Sequence, residues 1–341
     1  MSYKYPVGIL GAGAWGTALA EHLAACCGHN VLVWSYDKSA AADIKKKRKN
    51  STFLPGFQLD EKIEVTTSPE DVARNCKIIL YASPVPYCAE IAALLAPVLK
   101  EDQIVVISSK GFRDTDGALL TDVWQEMMPT FGNVAVLAGP TFAHEVAGHK
   151  PTLAVLAAPR KEVIKEVDKL FSSSLMRLYY SDDLIGIQVG AAMKNVIAIA
   201  AGISDGLDMG ENFKAAVLCR GIVEMMRYSH SLGGDRLTLS GLSGVGDLML
   251  SSHESSRNYR FGRCLGEGMK ADEAFEHVGS TVEGAATAAI LTVQGASKGI
   301  DMGVVMAVNG IIHGDIDARM TFRMLLERPR VVEFDKDEDA L

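Results

Sequence analysis

A lysine set among apolar residues is the first chemical signal in this chain. The stretch Asp183–Ile203 reads as a helix that is apolar nearly all round, yet it carries Gln188, Lys194 and Asn195. An ammonium inside such a helix is costly unless it is paired or used. The competing reading is a side chain that snorkels its charge to the surface. Burial beside a second cation would lower the pKa of Lys194 toward neutrality. It could then take a proton from a hydroxyl or, as an ammonium, give one to a carbonyl oxygen. Lys110, in Ser109-Lys110-Gly111, is a candidate for that second cation and could polarise a carbonyl; taken alone it reads equally as structural. Asp247 follows Gly241, Gly244 and Gly246 in an expected loop over Leu239–Leu250, and could orient a lysine or accept from a substrate hydroxyl. Ser255-Ser256-Arg257-Asn258 reads as a serine-capped helix start, where free N–H groups and a guanidinium together suit a phosphate. Of the eight histidines, His144, His253 and His313 lie near these stretches but read as surface or cap residues.

Proton transfer at a carbonyl needs a hydride partner, and Val7–Ala20 supplies a candidate place for one. Gly11, Gly13 and Gly16 have the spacing of a dinucleotide-binding turn between an apolar strand and a helical pattern. The first glycine permits the turn, the second leaves room for a pyrophosphate, and the third lets the helix pack closely. The free N–H groups of the helix start then face the anion. With 32 glycines in the chain, the spacing alone would be weak; the strand before it and the helix after it give it weight.

The elements that must position these groups follow from an alternation of short β-rich runs with helical ones. Strands are expected at Val7–Leu10, Asn30–Trp34, Ile63–Thr66, Lys77–Ala82, Ile104–Ser108, Val134–Ala138, Thr152–Leu156 and Met176–Tyr180. Helices are expected between most of them, for example Val85–Leu99 and Gly117–Met128. This pattern predicts an α/β fold with a mostly parallel sheet covered on both faces, whose ligands bind beyond the carboxyl ends of the strands. Lys110 and Gly139-Pro140-Thr141-Phe142-Ala143 each follow a strand and so belong to that edge. Asp37, after the second strand, has two readings: a ribose-binding acid or the N-cap of the next helix. The basic run Lys45–Lys49 reads as a solvated helix face or as help for a cofactor phosphate. After Asp182 the strands stop and helices dominate, which divides the chain into 1–182, an all-helical 183–330 and an acidic tail 331–341.

Bulk properties narrow the partners. A net charge of −8 and a pI near 5.5 argue against non-specific binding of nucleic acid or anionic membranes. No uncharged apolar run is long enough to span a bilayer, and Met1–Pro6, leading straight into the first strand, sets the expectation of no signal peptide. The six cysteines form no CxxC, and read as reduced thiols in a cytoplasmic protein.

Several stretches together resemble the bacterial-type NAD(P)-dependent sn-glycerol-3-phosphate dehydrogenase family. They are Gly11–Ala18, Ser109-Lys110-Gly111, Ala138–Ala143, Gly190–Ala198, Gly244–Leu248, Ser256-Arg257-Asn258 and Val282-Glu283-Gly284, with the match loose after Met302. The resemblance implies an N-terminal Rossmann domain followed by an all-helical domain, in a cytoplasmic homodimer. It implies reversible reduction of dihydroxyacetone phosphate to sn-glycerol 3-phosphate for phospholipid synthesis. Lys194 would be the catalytic proton acceptor, assisted by Lys110 and Asp247. Lys110, Gly139, Thr141, Lys194, Asp247, Ser256, Arg257 and Asn258 would contact the substrate. Ala14, Trp15, Tyr36, Lys110, Ala143, Arg257, Thr281 and Glu283 would join the three turn glycines around NAD or NADP. Two departures stand out. Ala14 replaces a common serine, which leaves backbone N–H groups as the expected pyrophosphate donors. Tyr36 replaces a basic or histidine side chain, which leaves the choice between NAD and NADP open. The alternatives are a related hydroxy acid dehydrogenase, such as those acting on 6-phosphogluconate or 3-hydroxyisobutyrate, and a non-catalytic NAD-binding regulator.

Overall fold

The computed structural model describes residues 3–327, apart from Thr130, Ser172, Ser280, Asp315 and the side chains of Phe322, Met324, Leu325 and Leu326. The acidic tail expected at 331–341 lies outside the described residues. Eight strands form one sheet: β1 (Tyr5–Leu10), β2 (Val31–Trp34), β3 (Ile63–Thr66), β4 (Cys76–Tyr81), β5 (Ile104–Ile107), β6 (Val134–Ala138), β7 (Thr152–Ala157) and β8 (Met176–Ser181). All eight are at the expected places, with ends moved by at most two residues. Their order is β3-β2-β1-β4-β5-β6-β7-β8. Neighbours are parallel from β3 across to β6. β7 then runs antiparallel to β6, pairing Val136 with Ala157, and β8 is parallel to β7. The chain order reverses at β1, so the crevice between the ends of β1 and β4 is the switch point where ligands of such sheets bind.

Strands β2, β5 and β6 are buried at every residue, which is why they read as continuous apolar runs rather than alternating ones. One face packs Val7, Ile9, Val33 and Leu80 against Leu19 and Leu23. The other packs Leu10, Trp34, Tyr81 and Ile107 against Ile91, Leu95 and Trp124. That second face also takes up Ile187 and Ala191 from the helix Leu184–Gly206, so the helix that carries Lys194 is rooted in the sheet. Gln188 pins the same junction: its Oε1 accepts from the Thr121 N–H (3.2 Å) and its Nε2 donates to Thr121 Oγ1 (2.9 Å).

The helix Leu184–Gly206 begins at Asp183, whose side chain accepts from the Gly186 N–H at 2.8 Å. Every residue from Gly186 to Ser204 is buried. By length and composition this helix could cross a membrane, with mean hydropathy 1.6, but 89% of that window is buried within the protein. Around it lie Glu211–Ser231, Arg257–Gly266 and Glu283–Lys298. The crossing with Arg257–Gly266 is glycine on glycine. A Cβ at Gly202 would strike the Tyr259 carbonyl and one at Gly262 the Ile199 carbonyl; Gly206 and Gly266 repeat the pattern one turn on, against Arg263 and Ile203. Backbones can approach this closely only where side chains are absent.

Two expectations about helices change. Val85–Leu99 begins as a 3-10 turn at Val85–Tyr87 and is α-helical only over Cys88–Leu95. Leu239–Leu250 is not a loop: it consists of the end of a 3-10 turn (Arg236–Ser240), a π turn (Leu242–Gly246) and the start of a short α-helix (Asp247–Ser251). Its glycines serve close packing, since a Cβ at Gly244 would collide with the Leu239 carbonyl. Likewise a Cβ at Gly190 would meet the Ser243 carbonyl oxygen at 2.8 Å.

Candidate active site

The glycine turn leaves β1 with Gly11 at φ 121°, where a Cβ would press against the Ala82 carbonyl oxygen at 2.7 Å. A Cβ on Gly16 would overlap the Gly11 carbonyl, so the third glycine lets the helix Ala14–Glu21 close down on the turn itself. Around Gly13, by contrast, an added Cβ meets nothing within 4 Å. Gly13 is the N-cap of this helix, and no side chain caps it. Among the described residues, the Trp15 indole N–H in the first turn is buried without a partner. Open space over Gly13, uncapped amides and a positive helix end fit a dinucleotide pyrophosphate. Ala143 opens the helix Ala143–Ala147, which packs on Ala14–Glu21.

The ribose side of this crevice is less built. Asp37 caps the helix Lys38–Lys47, its Oδ1 accepting from the Ser39 N–H (2.7 Å) and the Ala40 N–H (3.2 Å), so the capping reading is the one observed. Tyr36 is 89% exposed. Lys45, Lys46 and Lys47 occupy the last turn of that helix and are exposed; Lys47 pairs with Asp43 at 3.0 Å. Cations there complement the helix C-terminus, roughly 15 Å along the axis from Asp37.

Lys110 follows β5 and Gly139 follows β6, so both sit at the carboxyl edge of the sheet. Asp247, 1% exposed, stands between two lysines. Its Oδ2 lies 2.5 Å from Lys110 Nζ and its Oδ1 3.0 Å from Lys194 Nζ. Lys110 also donates to the Gly139 carbonyl at 3.1 Å, and Thr141 Oγ1 donates to the same oxygen at 3.3 Å. Gly139 has φ 137°, a conformation that favours glycine. Lys194, 7% exposed, donates to Ser251 Oγ at 2.6 Å. Burial pushes the Lys194 pKa below the ordinary lysine value, the Asp247 carboxylate opposes that shift, and the Lys110 ammonium reinforces it. Two of the three Nζ donors are thus occupied by Asp247 and Ser251, which leaves one for a ligand.

The remaining expected residues border this centre. Ser256 caps the helix Arg257–Gly266, accepting from the Tyr259 N–H at 3.4 Å. Asn258 Oδ1 accepts from the Gly284 N–H at 3.0 Å, and Asn195 Nδ2 donates to Glu283 Oε2 at 3.3 Å. Those two bonds tie the Ser256–Asn258 helix start and Glu283 to the Lys194 helix. Arg257 and Thr281 are exposed, and neither joins the lysine–aspartate cluster.

The side-chain bonds of four residues were not foreseen from the sequence. Ser251 lies four residues after Asp247, one helical turn away on the same face, and goes unnoticed when the segment is taken for a loop. Ser83 Oγ donates to the Leu10 carbonyl (2.9 Å), and Ser109 Oγ donates to the Ser83 carbonyl (2.6 Å), linking the ends of β1, β4 and β5. Asn50, fully buried, donates to the Ala12 carbonyl at 2.8 Å.

Comparison with known proteins places the chain in a family. The family model for the NAD-dependent glycerol-3-phosphate dehydrogenase N-terminus matches residues 6–164, and the model for its C-terminus matches residues 183–323. The glycerol-3-phosphate dehydrogenase (NAD(P)+) of Erythrobacter litoralis is 40% identical over 332 residues, covering 97% of this chain and 98% of the relative. That of Novosphingobium aromaticivorans is 40% identical over 331 residues, covering 96% and 98%. The crystal structure of glycerol-3-phosphate dehydrogenase from Coxiella burnetii superposes with a TM-score of 0.89 at 34% identity, covering 95% of this chain and 99% of that one. A Rossmann sheet, a turn fitted to a dinucleotide and a paired buried lysine are thus joined to sequence likeness across nearly the whole chain, and the chain belongs to the NAD-dependent glycerol-3-phosphate dehydrogenase family.

Proposed function

We propose that this chain reduces dihydroxyacetone phosphate to sn-glycerol 3-phosphate, reversibly, with Lys194 carrying the proton. The observation that supports this best is Asp247 with a lysine on each carboxylate oxygen, one of them Lys110 at the same carboxyl edge of the sheet as the open glycine turn. When bound, the nicotinamide supplies the hydride. The chain does the rest. Gly13 and the amides of the following turn hold the pyrophosphate. Lys194 directs its free N–H at the carbonyl oxygen and passes it a proton as that oxygen becomes an alkoxide. Lys110 adds positive charge at the same oxygen. Asp247 holds both lysines and balances their charge. Arg257 and the amides after Ser256 hold the phosphate, and Thr141 and Asn258 border the substrate. In the reverse direction neutral Lys194 takes the hydroxyl proton.

On this reading the sheet, residues 1–182, carries the cofactor, and the helices from 183 onward carry the substrate. A homodimer in the cytoplasm is the setting that the family resemblance supports. The product would feed phospholipid synthesis. Trp15, Tyr36, Ala143, Thr281 and Glu283 border the NAD or NADP site. The competing non-catalytic regulator has no need of a buried lysine held between a carboxylate and a hydroxyl.

The test is loss of NADH or NADPH absorbance on adding dihydroxyacetone phosphate. Turnover is expected with dihydroxyacetone phosphate and little with unphosphorylated dihydroxyacetone. Tight NADH binding without turnover would support the regulator instead. Preference for an unphosphorylated hydroxy acid would overturn the phosphate assignment.

A further inference from the structure

The glycine turn is held from behind by a residue far from it in sequence. Asn50 is 0% exposed and lies after the helix Lys38–Lys47. Its Nδ2 donates both to the Ala12 carbonyl and to Thr17 Oγ1, each at 2.8 Å. Its Oδ1 accepts from the Phe53 N–H at 3.2 Å, and its own carbonyl accepts from the Leu54 N–H at 2.9 Å. The tight turn Asn50–Leu54 therefore determines which way the amide faces. Thr17 Oγ1 adds a second, longer bond to the Ala12 carbonyl at 3.3 Å. A further staple holds the same segment to the dinucleotide helix, because Glu21 Oε2 accepts from the Asp60 N–H at 2.8 Å.

The consequence lies in one peptide plane. In a trans peptide the C=O and N–H point in opposite directions. Drawing the Ala12 carbonyl inward turns the Gly13 N–H to the opposite side of the peptide plane, and Gly13 itself borders open space, since a Cβ there would meet nothing within 4 Å. Among the described residues no backbone acceptor takes that N–H. If the plane flipped, a carbonyl oxygen would face the pyrophosphate in place of a donor, replacing attraction with repulsion.

We propose that Asn50 is a positioning residue for the dinucleotide, acting by locking the Ala12–Gly13 peptide with its N–H toward the pyrophosphate. It touches neither substrate nor cofactor. This inference rests on the dinucleotide reading of the turn, though not on the identity of the substrate.

The test is NADH affinity by fluorescence titration of the full chain, with thermal melting and steady-state kinetics alongside. For Asn50→Ala we expect the NADH Kd to rise by about tenfold, the scale of one charge-assisted hydrogen bond. At saturating NADH, kcat and the KM for dihydroxyacetone phosphate should stay within about threefold. Asn50→Asp, which cannot donate to the carbonyl, should bind NADH no better than Asn50→Ala. A folded Asn50→Ala variant that melts earlier yet binds NADH as the parent does would overturn the proposal and leave Asn50 a purely structural residue. If Asn50→Ala does not fold, Thr17→Val removes the second donor to the same carbonyl. A rise of about threefold in Kd is then expected, and an unchanged Kd overturns the proposal. If the parent chain binds neither NADH nor NADPH, the dinucleotide reading itself has failed, an outcome separate from a variant that merely equals its parent.

Discussion

At Lys194 two effects oppose each other. Burial favours the neutral amine, while the carboxylate of Asp247 at 3.0 Å favours the ammonium. Burial dominates, and the Lys110 ammonium adds to it, so the proton is held less tightly than on a free lysine. A proton carrier needs this, because a lysine at its ordinary pKa seldom gives up its proton near neutrality. The direction sets the expected pH dependence. Reduction needs the ammonium, so its rate should fall as pH rises through the lowered pKa, below the free value of 10.5. Oxidation needs the amine and should rise over the same interval. Lys194→Ala should lower turnover by roughly 10²–10⁴-fold, the usual share of acid–base catalysis. A reduction rate flat from neutrality to about pH 10, or a nearly active Lys194→Ala variant, would take Lys194 out of the role. Lys194 was legible because a charge in an all-apolar helix demands a reason. Ser251 was not, because a serine near a glycine-rich stretch looks like ordinary loop chemistry.

The elements meet at close range. The helix Arg257–Gly266 crosses Leu184–Gly206 through Gly202, Gly206, Gly262 and Gly266, each facing a backbone carbonyl of the other helix. That crossing places the Ser256–Asn258 helix start near Lys194. Adding one methyl group there forces two backbones apart, and overpacking costs typically about 1–3 kcal/mol. Gly262→Ala should therefore destabilise the protein by at least about that much, despite alanine's better helix propensity of roughly 1 kcal/mol. It should also raise the KM for dihydroxyacetone phosphate more than the Kd for NADH, because the displaced helix carries Arg257 and not the glycine turn. Denaturant unfolding and the two binding constants check this; a stabilised variant with unchanged KM would show that the crossing tolerates side chains. Glycine spacing of this kind was visible in the chain, but glycine ordinarily signals a turn, and nothing local distinguishes it from a helix contact.

Across the whole molecule, buried groups away from the site shape acid stability. His22, 1% exposed, directly follows the dinucleotide helix and stacks on Phe171, and its Nε2 lies 3.3 Å from Ser173 Oγ. Burial, reinforced by nearby His149, moves its pKa from 6.5 down to about 4. Between those values the unfolded chain binds the proton and the folded chain does not, so stability is lost as pH falls from 6.5 to about 4. The loss attributable to this group is on the order of 3 kcal/mol. Thermal melting of the parent and of His22→Phe over that range checks it. The variant should show a shallower fall, and parallel curves would place the acid sensitivity elsewhere.

The amino-acid sequence determined the strands, the glycine turn and the burial of the Lys194 helix, because each depends on the periodicity or conformational freedom of neighbouring residues. It also marked the edge of the sheet where Lys110 and Gly139 had to lie, since a parallel sheet presents its strand ends together. Only the tertiary structure decided that Asp247, 137 positions from Lys110, would hold both lysines, or that Asn50 would orient the turn. Periodicity reports which face of an element is buried, not which residue it is buried against. Hydrogen-bond partners distant in sequence are chosen by how the packed elements bring donors and acceptors together.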